Sequence, residues 1–327
     1  MKNLIIHAGP HKTGTTYIQG LLHNNKDLLQ ASSISYPDAY YLFLGHHYLC
    51  NALNGNETIE AIREKIESSV GSATTCILSS ENFIFLTDKG MKKLKEIFPS
   101  VTIRFVLFSR RPSLRLISRW HEEVKQGGSE SLESYLVKHI IRPMQSTELN
   151  IVNYIKKVES IFGKNVCYLA DYESASKNKN VMAVFQKAAD IDVDIADTST
   201  IVNKMTPLGE IEVIRGINLV AGKNGVLKGS NIREAYYELV KQDESFQIAC
   251  SDLISKIDER SHSLDIGNTG FDITIAEILK NNYASQIVNE ISTPERKTID
   301  YPSTEWSMDP ELQDAFRIIS DYVIESL

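Results

Sequence analysis

Short, nearly continuous apolar runs recur in the first half of the chain and alternate with segments of helical periodicity. One helical segment, Glu57–Val70, places its isoleucines and its last valine on a single face. Apolar runs of this length are typical of parallel strands that are covered on both faces. We therefore predict repeated βα units over about the first 175 residues. The predicted strands are Leu4–Ile6, Ser33–Tyr36, Thr75–Ser79, Ile103–Phe108 and Asn165–Leu169.

The pattern changes at about residue 190, where helical segments separated by polar loops begin. Two of these segments, Gly209–Leu219 and Ile275–Ile291, are predicted to be helices. We expect a single α/β domain over residues 1–327, in which a parallel sheet is flanked by helices. Residues 1–175 are expected to form its core. The mostly helical residues 190–327 are expected to cover the C-terminal edge of the sheet, where open α/β sheets bind ligands.

A loop rich in glycine and threonine follows the first predicted strand and leads into an apolar-periodic helix. Gly9 and Gly14 have the outer spacing of the nucleotide-binding P-loop, G-x-x-x-x-G-K-[ST]. Thr15 stands where that loop has its lysine, and the nearby ammonium group is Lys12, inside the loop. A plain strand-to-helix turn is the alternative, but Lys-Thr-Gly-Thr-Thr between the two elements favours an anion site built from backbone N–H groups.

Composition and charge narrow the classes of protein. The 327 residues are 42% hydrophobic and carry a net charge of −7, which argues against a general nucleic-acid binder. The sequence has no run of about 18 apolar residues that could span a membrane, and the first strand leaves no room for a signal peptide. We expect a reduced, cytoplasmic protein without a metal site, because the cysteines have no metal or redox spacing. They are Cys50, Cys76, Cys167 and Cys250.

A second strand-to-helix junction carries basic residues. The strand that ends at Phe108 runs into Ser109-Arg110-Arg111-Pro112, and proline suits the first turn of a helix. Arg110 then lies at the end of a strand and Ser118 about two turns into the next helix, so that together they could hold one phosphate. The alternative is that the arginine pairs with a carboxylate and that Ser118 is a solvated helix residue.

Taken together, these segments resemble the signature segments of the sulfotransferases that use 3′-phosphoadenosine 5′-phosphosulfate (PAPS). The matching residues are Pro10–Thr16, the pair Arg110 and Ser118 with its eight-residue spacing, and Asp171–Glu173, which is similar to the family's Tyr-Glu-Asp segment. The resemblance covers about the first 175 residues. It implies that PAPS is the co-substrate and that Arg110 and Ser118 bind its 3′-phosphate.

The resemblance also assigns roles to the other residues of these segments. It implies that the loop holds the 5′-phosphosulfate, that Tyr172 approaches the adenine, and that Tyr17 stands where many members place a tryptophan beside the adenine. Lys12 would stabilise the bridging oxygen of the departing 3′,5′-diphosphoadenosine, without a metal ion. The loop residues expected to bind the donor are His11, Thr13, Gly14, Thr15 and Thr16.

Sulfuryl transfer to a hydroxyl or amine of an acceptor also requires a general base. Glu81 follows the strand Thr75–Ser79 and is one candidate. His47, from the pair His46-His47, is the other, in a segment whose aromatic residues suit a sugar. We expect the acceptor to be a small molecule or a glycan, and a carbohydrate is favoured.

Two other functions remain open at this stage. The spacing of Gly9 and Gly14 is also compatible with a P-loop small-molecule kinase or nucleotide hydrolase, although Thr15 in the lysine position argues against it. A non-catalytic protein that binds an adenosine phosphate is the third hypothesis.

Overall fold

The computed structural model describes residues 1–146, 149–195, 206–225 and 230–327. Its strands are β1 (Asn3–His7), β2 (Ile34–Ser35), β3 (Thr75–Ser79), β4 (Thr102–Ser109), β5 (Cys167–Asp171), β6 (Ser261–Ile266) and β7 (Lys297–Pro302). Its α-helices are α1 (Thr15–Asn24), α2 (Lys26–Ala31), α3 (His47–Asn54), α4 (Ile59–Val70), α5 (Asp88–Ile97), α6 (Pro112–Lys125), α7 (Leu132–Ile140), α8 (Ile151–Phe162), α9 (Tyr172–Lys177), α10 (Val181–Ala189), α11 (Leu208–Lys223), α12 (Asn231–Gln242), α13 (Glu244–Asp258), α14 (Gly270–Asn282) and α15 (Pro310–Glu325).

The chain divides into two compact units, each assembled from three stretches. The first unit comprises Met1–Arg115, Met144–Val202 and Gly270–Pro294. The second unit comprises Leu116–Pro143, Asn203–Thr269 and Glu295–Leu327. The first unit contains a five-stranded sheet, and the second unit contains helices and the antiparallel pair of β6 and β7.

The sheet of the first unit is parallel throughout and has the order β2-β3-β1-β4-β5. Both of its faces are covered, because Leu4 and Ile6 belong to one buried cluster and Ile5 belongs to another. Side chains from α3, α4, α5, α8 and α14 fill the first cluster, and side chains from α1, α2 and α10 fill the second. The predicted α/β fold with a parallel sheet flanked by helices is confirmed.

The second unit is built around α11, on which Ile211, Val213, Ile214, Ile217 and Ala221 are fully buried. A buried ion pair joins Glu212 to Arg215, with Arg215 Nε 2.7 Å from Glu212 Oε2. Arg215 also donates to the carbonyl of Ser129 at 3.0 Å, and Asn218 Nδ2 donates to the carbonyl of Val124 at 2.8 Å. Polar side chains of α11 therefore bind carbonyl groups at the end of α6 and in the loop after it, groups that a helix end leaves without partners.

The helix predicted over Ile275–Ile291 is too long. The helix α14 ends at Asn282, and the chain continues through a short 3₁₀ turn into an extended segment. There Ile287 bridges Leu169 in parallel, and Val288 N donates to the Leu169 carbonyl at 2.9 Å. The open edge of β5 offers backbone groups that need partners, and hydrogen bonding to it competes with further helix.

The structure shows the state of the cysteines and the character of the helices. All four cysteines are buried free thiols, and burial raises the pKa of Cys76 and Cys167. In the described part of the chain, no helix combines the length and the apolar character needed to cross a membrane.

Candidate functional site

The loop between β1 and α1 spans residues 8–14 and ends at Gly14, the N-cap residue of α1. Gly14 has a φ of 79°, and a Cβ at this position would lie 2.8 Å from Cε2 of Tyr172. Glycine alone meets both conditions without strain. Gly14 offers no side-chain acceptor to the first-turn N–H groups of α1, and the described residues of that turn include no acid. The positive end of this helix is therefore suited to an anion.

Two hydrogen bonds hold the loop in its conformation. The Thr13 hydroxyl is fully buried and donates to the Pro10 carbonyl at 2.8 Å. Arg110 donates from a terminal guanidinium nitrogen to the Lys12 carbonyl at 3.0 Å. Lys12 itself has a φ of 68°, in the left-handed region that is uncommon for a residue with a side chain. The side chain of Thr13 therefore shapes the turn, and Arg110 is attached to the loop through its backbone.

The two candidate bases lie side by side. Glu81 begins the 3₁₀ turn after β3, and its Oε2 is 3.9 Å from Nδ1 of His47. Its other oxygen, Oε1, is 3.9 Å from Nδ1 of His11, a residue of the loop. The side chains of Glu81, His11 and His47 keep 18%, 20% and 14% exposure, so each is partly buried and still accessible. The parallel pairing of β1 with β3 brings their C-terminal ends, and thus the loop and Glu81, to the same edge of the sheet.

The His46 ring forms hydrogen bonds with backbone groups and has a structural role. Its Nδ1 accepts a hydrogen bond from the Ser79 backbone N–H at 3.0 Å, and its Nε2 lies 2.8 Å from the Pro37 carbonyl, to which it can donate. Burial lowers the pKa of His46 to about 4, so the ring is neutral. The neighbouring His47 instead lies 2.9 Å from the Ser80 hydroxyl and close to Glu81.

Carboxylates occupy the second strand-to-helix junction. Glu173 accepts from Arg110 Nε at 3.2 Å and from the Arg111 backbone N–H at 3.0 Å. Asp272 accepts from the backbone N–H of Ser113 at 2.9 Å and from its hydroxyl at 2.7 Å. Burial raises the pKa of Glu173, and the Arg110 charge opposes that shift. Arg110 therefore pairs with a carboxylate in this structure, and its role in binding a phosphate stays a prediction.

The segment that carries Tyr172 is held by residues much later in the chain. Asp171 N donates to Asn289 Oδ1 at 2.8 Å, and Asn289 Nδ2 donates back to the Asp171 carbonyl at 3.0 Å. The Ser292 hydroxyl donates to the Asp171 carboxylate at 2.6 Å. These contacts fix the start of α9, so the Tyr172 ring lies beside Gly14, with its centroid 5.6 Å from the Arg110 guanidinium.

The other predicted donor ligands are distributed as follows. Thr15 is buried and Thr16 is exposed at the start of α1. Tyr17 is half-buried and packs against the apolar cluster that contains Ile5. Ser118 is half-buried on α6 and belongs to the second unit. The roles of these four residues in donor binding stay predictions.

Gln19 is a residue of this cluster that the sequence pattern did not predict. This residue is buried on α1 and donates from Nε2 to Glu81 Oε2 at 3.2 Å. Gln19 lies between the apolar positions Ile18 and Leu22, where a core-facing helix is expected to be apolar. A polar residue at such a position needs a buried partner, and this was the available signal.

The comparisons with known proteins found similarity among solved structures and none among family models or curated proteins. No model of a protein family and no curated protein matches the chain. Among solved structures, the sulfotransferase from Alicyclobacillus acidocaldarius is similar with a TM-score of 0.42 and 14% identity. The similarity covers 68% of this chain and 96% of that chain.

The buried, neutral state of His46 predicts a pH dependence of stability. Folded His46 stays uncharged down to about pH 4, whereas an unfolded histidine takes up a proton below about pH 6.5. The unfolded state therefore binds more protons, and stability falls as pH drops through this window. His46→Gln removes this contribution. We expect the stability advantage of the wild type over this variant to shrink by about 2 kcal/mol between pH 7 and pH 5 in urea denaturation.

The matched control is Gln30→Ala, because this exposed residue of α2 carries no titratable group. Its difference from the wild type should be nearly the same at both pH values. A difference for His46→Gln that is equally independent of pH would contradict the buried neutral assignment.

Proposed function

We propose that the protein is a PAPS-dependent sulfotransferase that transfers a sulfuryl group to a hydroxyl or amine of a carbohydrate acceptor. The observation that supports this most directly is the 3.9 Å separation between His11, in the loop, and Glu81. An anion-binding loop and an acid–base cluster are thereby adjacent. A direct displacement needs this arrangement, because the donor must be held while a base within reach accepts the proton of the nucleophile.

The N-terminal end of α1 fits the phosphosulfate end of the donor. Its first-turn N–H groups, with the Thr15 and Thr16 hydroxyls, would hold the 5′-phosphate. The Lys12 ammonium would stabilise the negative charge that develops on the bridging oxygen. As the acceptor oxygen forms its bond to sulfur, its proton passes to Glu81, and the bond from sulfur to the phosphate oxygen breaks. The leaving group is 3′,5′-diphosphoadenosine.

We assign the role of general base to Glu81, and His47 is the second candidate for this role. Glu81 is the member of the cluster that lies near both imidazoles, and a carboxylate between two partly buried rings can pass a proton on to either of them. His47 has a hydroxyl partner, Ser80, that fixes its ring.

The adenosine end of the donor is proposed to lie near Tyr172. Support comes from the contact of this ring with Gly14 and from the attachment of Arg110 to the Lys12 carbonyl. A 3′-phosphate on Arg110 would share the guanidinium with Glu173. The part of Ser118 in this binding remains a prediction from the sequence resemblance.

Exposed aromatic residues in the segments that carry His47 and Glu81 suggest the acceptor class. Phe43, Tyr48 and Phe85 are 82%, 50% and 43% exposed, and the Phe85 ring lies 5.9 Å from that of His11. Phe43 has a φ of 56° in a turn closed by Leu42 and Gly45. A bulky side chain in the left-handed region carries strain, which a binding role can explain. Flat apolar rings of this kind suit the faces of a pyranose ring.

Calorimetry with 3′,5′-diphosphoadenosine and with ATP plus magnesium tests the donor class, and labelled PAPS with a panel of glycans tests transfer. We expect tighter binding of 3′,5′-diphosphoadenosine and label in a glycan. Tighter ATP binding with magnesium-dependent turnover would indicate a kinase or nucleotide hydrolase. Binding of the diphosphate without transfer to any acceptor would favour a non-catalytic protein.

Lys12→Met keeps the length of the side chain and removes its charge. We expect kcat to fall by about 10²–10³, because one preorganised contact to a developing anion contributes about 2.7–4 kcal/mol. Arg110→Ala should instead weaken binding of 3′,5′-diphosphoadenosine and change kcat less. Lys92→Met, on an exposed face of α5, is the matched control. The reverse pattern for Lys12 and Arg110 would show that their two roles have been exchanged.

Phe43→Ala should raise the acceptor KM about 2- to 12-fold and leave kcat nearly unchanged, because an aromatic contact contributes about 0.5–1.5 kcal/mol. Steady-state kinetics over a range of acceptor concentrations measure this. Ile248→Ala, at a 62% exposed position of the second unit, is the control for loss of a surface apolar group. An unchanged acceptor KM would remove Phe43 from the acceptor site.

A further inference from the structure

A buried amide connects the helix of the anion loop to the proposed base. Gln19 is 2% exposed and lies on α1 one turn after the threonines at its start. Its Nε2 is 3.2 Å from Glu81 Oε2 and 3.2 Å from Ser79 Oγ. A side-chain amide nitrogen has two hydrogens, so both of its donors have an acceptor.

Ser79 connects this network to His7. Ser79 Oγ lies 2.8 Å from His7 Nδ1, and burial lowers the pKa of His7 to about 4, so the imidazole is neutral. Ser79 can therefore accept from Gln19, and the tautomer of His7 decides which of these two side chains donates in the contact between Ser79 and His7. The ring of His7 is enclosed by apolar residues and lies 5.1 Å from the Phe185 ring between centroids. The network thus runs from the core of the first unit to Glu81.

The amide of Gln19 is held in one orientation. Rotation by 180° would place its carbonyl oxygen against the Glu81 carboxylate and lose the hydrogen bond to it, which is costly for a buried polar group. The turn at residues 42–45 also packs directly on it, because a Cβ on Gly45 would lie 2.8 Å from Gln19 Nε2. The Glu81 oxygen that accepts from Gln19 is therefore restrained from the protein side.

We propose that Gln19 is a positioning residue that orients the Glu81 carboxylate relative to the anion-binding end of α1. One turn of rigid helix then sets the spacing between the bound donor and the base. Sites built on helices hold their geometry more closely than sites built on loops alone. This inference rests on the proposed sulfuryl transfer and adds to it a residue that contacts neither the donor nor the acceptor.

A double-mutant cycle tests the inference. Gln19→Met keeps the length of the side chain and removes both donors. We expect kcat to fall at least 10-fold, with the affinity for 3′,5′-diphosphoadenosine within 2-fold of the wild type, which marks a defect in positioning and not in donor binding. In a Glu81→Gln background, Gln19→Met should cost no further activity, because Gln19 acts through Glu81.

Two further variants accompany the cycle, one as a control and one as an independent test. Gln30→Met, on an exposed position of α2, is the matched control and should leave kcat unchanged. Ser79→Ala removes one acceptor of the Gln19 amide and should lower kcat less than Gln19→Met does. This variant tests the inference if Gln19→Met fails to fold. Equal losses from Gln19→Met in both backgrounds would overturn the inference.

A measurement on the protein without ligand distinguishes a failure of this inference from a failure of the proposed function. The Gln19 side-chain amide can be followed by NMR in the protein without ligand. It should exchange slowly with solvent and shift on Glu81→Gln, which requires no turnover. A wild type that transfers no sulfuryl group from PAPS would end the proposed function. A Gln19 amide that exchanges as fast as that of Gln30 would overturn the contact itself.

Discussion

The parallel pairing of β1 with β3 is the constraint on which the rest of the site depends. It places His7 opposite Ser79, so the two segments that follow these residues leave the sheet at the same edge. One segment is the Gly- and Thr-rich loop, and the other begins with Glu81. The hydrogen bond between the His7 and Ser79 side chains joins the strands beneath this edge. Ligand sites at the carboxyl ends of parallel strands are the general rule for open α/β sheets, and here this edge brings the loop before α1 next to Glu81 and His47.

The two strand-to-helix junctions differ in their electrostatics. The start of α1 has no acid in its first turn, whereas Glu173 and Asp272 accept backbone N–H groups around the start of α6. Backbone donors at the second junction are therefore engaged, and an anion there would depend on side chains such as Arg110. Sequence spacing cannot distinguish these situations, because the carboxylates come from residues far from the junction in the chain.

The features that sequence reasoning could predict are those governed by local pattern. Buried parallel strands have continuous apolar runs, so β3 and β4 were predictable, and the loop followed from Gly9, Gly14 and their neighbours. The association of Glu81 with His47 and His11 depends on strand order, which the pattern does not specify. Gln19 was missed because a polar residue on an apolar helix face acquires a meaning only from its buried partner. The end of α14 was misplaced because the edge of β5 competes for the following backbone, a tertiary effect.

The return of residues 270–294 to the first unit has a consequence for synthesis. These residues supply α14, the bridge to Leu169 and the contacts that hold Asp171 beside the loop. Domains generally fold as units while the chain emerges. The first unit, however, cannot complete its edge or fix Tyr172 until the chain has emerged from the ribosome as far as about residue 294. A nascent chain that ends before α14 would expose the apolar face that this helix covers, a surface to which a chaperone can bind during this interval.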